Sequence, residues 1–157
     1  MYHRILVPLD GSTLAEAALP HAVAVARRFE ASLTLLQVVT TLPVAAAVDA
    51  GATAGAEVVM SVEALEASEQ AAHEYLDQVA QRRELVDIPV QAKVVRGRPA
   101  REIVRLARGE GVDLIVMSTH GRSGLGRLVF GSVADQVLRE SGIPILLVRP
   151  QGQTAAS

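Results

Sequence analysis

The stretch MSTHGRSGLGRLVFGSVADQVL, residues 117–138, sets Gly121, Gly124, Gly126 and Gly131 between an apolar run and a helix-like pattern. Glycine gives up the most backbone entropy on folding, so such a cluster means a sharp turn or a close approach of the chain to something. Phosphate is a chemistry that such a loop serves. Successive backbone N–H groups point inward, and Gly131–Ser132 opens a helix whose first N–H groups have no partner within it. Arg122 and Arg127 are placed to add charge-assisted contacts. The alternative is structural: Ser132 caps its helix, Asp135 completes a capping box, and both arginines are solvated.

Two familiar phosphate motifs do not fit. Gly121-x4-Gly126-Arg127-Leu128 has the glycine spacing of a Walker loop but neither its lysine nor its hydroxyl. Gly124-x-Gly126 runs on into Arg127, Leu128 and Val129, so no G-x-G-x-x-G fingerprint is completed. His120 stands in the loop with no orienting acid and nucleophile near it in sequence, which points to loop hydrogen bonding and leaves no catalytic residue assigned. His3, His21 and His73 lack metal-ligand spacing and the chain has no cysteine, so no protein-held metal site is expected.

The elements that position this loop follow from periodicity. Arg4–Val7 reads as a short strand ending at Pro8. Ser12 and Thr13 then open a helix to about Phe29, with Thr13 and Glu16 spaced as a capping box and a kink expected at Pro20. Leu33–Val39 is a buried strand. Thr40 to about Ala56 has no usable period and reads as a long mobile surface loop, able to order over a ligand. A helix follows with Val58, Val62, Leu65, Ala72, Leu76 and Val79 on one face, interrupted by Glu69. Ile88–Val95 alternates like a half-buried edge strand. Pro99 begins a third helix that Gly109 or Gly111 ends. Val112–Met117, Ser132 to about Glu140 and Ile143–Val148 complete the pattern as strand, helix and strand. Five strands alternating with four helices predict a parallel sheet covered on both faces, with ligands beyond the carboxyl ends of the strands.

At 157 residues the chain is expected to be one domain over 1–150, with 151–157 a flexible tail. A net charge of −2 gives no basic field to favour nucleic acid or anionic membrane. The weakly polar stretch 40–60 is broken by Pro43, Asp49 and Glu57, too interrupted to span a bilayer. The start of the chain has no signal-like segment, so a cytoplasmic protein is expected. In the strand order below, Ile143–Val148 lies at a sheet edge, which Pro144 suits. Its apolar run would invite association unless covered, so a homodimer pairing these strands is expected.

A further pattern is carried by "THGRSGLGRLVFGS" and "ILVPLDGS". Ser118, Gly121 and Gly131–Ser132 stand at the positions of a glycine, two residues, a glycine, nine residues, then Gly-Ser. The chain thereby resembles the universal stress protein family, in its ATP-binding branch, along nearly its whole length. It departs at Ser118, where the family has glycine. The resemblance implies a five-stranded parallel sheet of order 3-2-1-4-5 with helices on both faces, a Rossmann-like fold akin to the adenine nucleotide alpha hydrolases.

It also implies an adenosine pocket between the first and fourth strands. Pro8, Leu9 and Asp10 would form its floor, Asp10 accepting a ribose hydroxyl or approaching a metal; otherwise Asp10 is a plain turn residue. Val38 would meet the adenine edge through its backbone and Met117 would pack near the base; otherwise both are ordinary core. Ser118, His120, Gly121, Arg122, Arg127, Gly131, Ser132 and Val133 would surround the phosphates. The implied cofactor is ATP, with Mg²⁺ or Mn²⁺ held by the phosphates, in a stress-linked regulatory module with at most slow hydrolysis. The rivals are a nucleotide-free dimeric interaction protein and an enzyme acting on a nucleotide's α-phosphate.

Overall fold

The computed structural model describes residues 1–40, 62–119 and 131–150. Its strands are β1 (Arg4–Leu9), β2 (Ser32–Val39), β3 (Val90–Arg96), β4 (Leu114–Ser118) and β5 (Ile145–Val148). They form one parallel sheet in the order β3-β2-β1-β4-β5, the order expected. Between them run α1 (Thr13–Glu16), α2 (Leu19–Phe29), α3 (Val62–Ala80), a 3-10 turn at Arg83–Leu85, α4 (Pro99–Gly109) and α5 (Ser132–Glu140). Among the described residues no helix is long and apolar enough to cross a membrane.

The sheet buries both faces because alternate strand residues feed two cores. Ile5, Val7, Leu33, Leu35 and Val116 pack with Leu19, Ala22 and Ala26 of α2 and Leu76 and Val79 of α3. Leu6, Leu36, Ile115 and Met117 pack on the other face with Ile103 and Leu106 of α4 and Ala134 and Val137 of α5. With so few aromatic side chains, these interiors are built almost wholly from branched aliphatics and alanine.

Four local expectations are corrected. The helix from residue 12 to 29 is two helices, since Pro20 falls in the first turn of α2 and the chain breaks at Ala17–Ala18. A proline has no N–H to donate back, so the helix restarts there instead of bending through it. The capping residue of α1 is Ser12, whose Oγ accepts from the Ala15 N–H at 3.1 Å. Glu16 is therefore free of the expected capping box and reaches across to α3. The apolar stripe of α3 is buried only over Ala72, Leu76 and Val79, whereas Val62 is 70% exposed. The apparent interruption at Glu69 is an ion pair with Arg96 on β3. Lastly, Gly131 caps α5 and no described side chain bonds its first turn; Asp135 pairs with Arg139 at 3.0 Å, so the Ser132–Asp135 capping box does not form. The expected loop at 40–56 lies, after Thr40, outside the described residues, as do Val58 and the segment 151–157.

Candidate functional site

The hydrogen-bond ladder opens the sheet at its carboxyl end. Asp113 donates to the Arg4 carbonyl, whereas Ile115 and Thr119 donate to Pro144 and Val148 on the β5 side. Even residues of β1 and of β4 thus turn their peptide groups toward each other. The β1–β4 ladder runs only through Ile5↔Leu114 and Leu6↔Ile115. The next even position on β1 is Pro8, which has no N–H, and there the ladder ends.

A second gap lies on the β2 side. Ser32 donates to His3 before β1, and Leu33 donates to Pro89 before β3. Even residues of β2 therefore face β1. Because β1 ends at Leu9, opposite Gln37, the Val38 carbonyl points past the end of β1, and no described backbone N–H donates to it.

Between these two gaps sits a cavity of about 380 Å³. Its walls include Pro8, Leu9, Asp10, Val38, Met117, Ser118, Gly131, Ser132 and Val133, all nine of the expected site residues that fall within the described chain. His120, Gly121, Arg122 and Arg127 lie outside it. Ala15, Leu36, Pro99, Ile103 and Ala134 complete the walls and were missed. Leu36 sits two residues before Val38 on the same face of β2, and Pro99 and Ile103 are one helical turn apart, so periodicity from Val38 and from the start of α4 was the available signal.

The chemistry of the walls is uneven. Most are apolar, which suits a flat heteroaromatic ring. At one end α5 begins, and its opening turn contributes Ser132, Val133 and Ala134 to the wall. The first N–H groups of a helix have no intrahelical acceptor, and no described side chain caps this one, so it can present a partial positive charge to an anion. Asp10 supplies the carboxylate of the walls. Its Oδ1 accepts from the Ser12 N–H at 2.9 Å and from the Ser12 hydroxyl, so it is a turn residue; its Oδ2 takes no hydrogen bond from a described residue. The turn reading of Asp10 therefore holds on Oδ1, and Oδ2 is left without a described donor. Ser118 lines the cavity from an ordinary strand backbone, since Glu30 is the sole non-glycine residue with positive φ among the described ones. Serine in the glycine's place costs no backbone strain there.

A doubly wound parallel α/β domain with its crevice where the strand order reverses is the class that this fold and site define. The comparisons narrow it. Residues 1–149 match the pattern of the Universal stress protein family. The chain belongs to that family. Among its relatives are two universal stress proteins of Methanocaldococcus jannaschii. It is 32% identical to MJ0531 over 149 residues, covering 95% of this chain and 83% of that one. It is 33% identical to MJ0577, covering 95% and 96%. The solved structure of MJ0577 superposes with a TM-score of 0.70 over 96% of this chain and 98% of that one. A universal stress protein solved in complex with cAMP shares the fold at a TM-score of 0.63 and 24% identity, covering 96% of this chain and 98% of that one.

Proposed function

We propose that the crevice binds ATP or a closely related adenine nucleotide, and that the protein is a regulatory module whose conformation or partner follows nucleotide occupancy. The observation that carries this is one cavity lined both by Val38, whose carbonyl takes no described backbone N–H, and by the start of α5, which no described side chain caps. The base's exocyclic amino group donates to the Val38 carbonyl while its ring packs on Leu36, Ile103 and Met117. The Asp10 Oδ2 accepts from ribose hydroxyls. The phosphates lie at the first turn of α5 beside Ser132; Arg122, Arg127, His120 and Gly121, outside the described residues, are proposed as phosphate neighbours from the family resemblance. A family relative in complex with cAMP supports an adenine ligand in this fold.

A divalent ion fits as a companion of the phosphates. Among the described residues no group of three or more His, Cys, Asp or Glu could hold one alone. Mg²⁺ keeps several waters and binds largely through substrate phosphates, and the Ser132 hydroxyl, in the cavity wall at the start of α5, is a hard oxygen beside them. Bound there, the ion would neutralise phosphate charge. Asp10 is the only titratable side chain among the described cavity walls, and half of its carboxylate is committed to Ser12.

Mass spectrometry of nucleotide released from denatured purified protein, with calorimetric titration of ATP, AMP and cAMP, tests the assignment. ATP with Mg²⁺ is expected to bind at micromolar concentrations. Silent titrations with all three and no released nucleotide overturn it.

A further inference from the structure

Ala15, in the cavity wall, is followed by a residue whose side chain leaves the site altogether. Glu16 points to the other end of α1, where its Oε1 accepts from the Tyr75 hydroxyl at 2.9 Å and its Oε2 from Arg82 Nη1 at 2.8 Å. Tyr75 lies in the last turns of α3 and Arg82 caps the 3-10 turn that follows, so the two carboxylate oxygens are tied to the end of α3 and the turn after it. The Arg82 guanidinium, chiefly, holds the Glu16 carboxyl below the usual range; burial, and then the bond to Glu16, raises the Tyr75 phenol.

The piece so tethered is a single turn of helix, Thr13–Glu16. A single helical turn has little stability of its own, because nucleation fixes several residues for one hydrogen bond. α1 is such a turn, bounded by Gly11 at φ 82° before it and by the Ala17–Ala18 break after it. Its start is locked to the site by the Ser12 cap and the Asp10 turn. Its end is locked to α3 by Glu16. The Glu16 side chain is 20% exposed and that of Arg82 38%, so the pair is only partly screened by water.

We infer that Glu16 is a positioning residue that holds the Asp10–Ala15 wall of the cavity against α3, and that occupancy of the cavity is felt by α3 through the Glu16–Tyr75–Arg82 junction. This rests on the nucleotide reading above for the ligand and on geometry alone for the tether. Coupling between two sites is reciprocal: if the ligand shifts the junction, loosening the junction changes ligand affinity by the same factor.

The test uses the full chain and ATP with Mg²⁺. The chain has no tryptophan and Tyr2 and Tyr75 are its only tyrosines, so a Tyr2→Phe background makes tyrosine emission a probe of Tyr75. ATP is expected to change that emission. Glu16→Gln is expected to abolish the change, to weaken ATP about tenfold, and to speed amide exchange at residues 12–17 of the ligand-free protein while α2 stays protected. A purely structural Glu16 would lower the thermal midpoint and leave Kd of the folded fraction alone. Should Glu16→Gln not fold, Tyr75→Phe keeps the Arg82 bond and is expected to weaken ATP about threefold. If ATP binds without changing Tyr75 emission in the Tyr2→Phe background, and Glu16→Gln and Tyr75→Phe bind ATP as tightly as the wild type, the coupling is wrong and the site reading stands. If the wild type does not bind ATP, the site reading falls and the coupling with it, and the exchange experiment alone decides whether the tether exists.

Discussion

Gly131→Val separates ligand binding from folding. Gly131 is at φ −56°, ψ 151°, extended backbone that valine adopts without strain. Valine is a poor N-cap, so the ligand-free protein should lose about 1 kcal/mol, or roughly 2–4 °C in Tm for a chain of this size. The larger effect lies in the cavity. Gly131 is part of its wall at the start of α5, and two added methyls stand where an anion must come to meet the first helical N–H groups. If Kd for ATP is on the order of 10 μM, about 1 mM ligand stabilises the wild type by roughly 2.7 kcal/mol. That corresponds to a midpoint rise of roughly 5–10 °C. The variant is expected to lose most of this rise while its ligand-free midpoint falls only slightly. Differential scanning fluorimetry with and without ATP and Mg²⁺, backed by calorimetric Kd, reads both numbers. A variant that keeps the full ligand shift would refute placement of the phosphates at α5. A ligand-free collapse would refute the claim that its backbone is unstrained.

Other consequences follow from the same geometry. Nucleotides with a 6-oxo base, such as ITP or GTP, set a carbonyl against the Val38 carbonyl and should bind at least about tenfold more weakly than ATP in competition titrations. Leu76→Ala empties a site that is 0% exposed and should cost about 2–5 kcal/mol by urea unfolding. Glu16 has its pKa lowered in the folded state by Arg82, so its contribution is complete above the ordinary glutamate range and is lost as pH falls through the folded value. The stability gap between wild type and Glu16→Gln should accordingly be flat near neutrality and close under acid, as measured by Tm against pH. The β5 edge, with Ile145, Leu146 and Leu147 each only partly buried, should pair with its copy; light scattering at tens of micromolar should give a dimer, and a monomer would exclude it.

The sequence by itself determined the order of elements, because strand and helix periods differ and each turn carries its own signal. Pro99 at the head of α4, Ser132–Glu140 as a helix and the alternation of β3 were legible in this way. The nine cavity residues that lie in the described chain came instead from the family resemblance, and the structure sets them around one cavity because the parallel topology brings those strand ends and helix starts together. Periodicity, however, says which face is buried and not what covers it. That is why Glu69 read as a flaw in a stripe until Arg96 of β3 stood opposite it, and why Glu16 read as half of a capping box. Only the tertiary structure decided that Pro8 ends the β1–β4 ladder, that the Val38 carbonyl is left without a strand partner, and that α4 supplies a wall through Pro99 and Ile103. Each of these depends on register between segments distant in sequence, and register is set when both faces of the sheet find their cores.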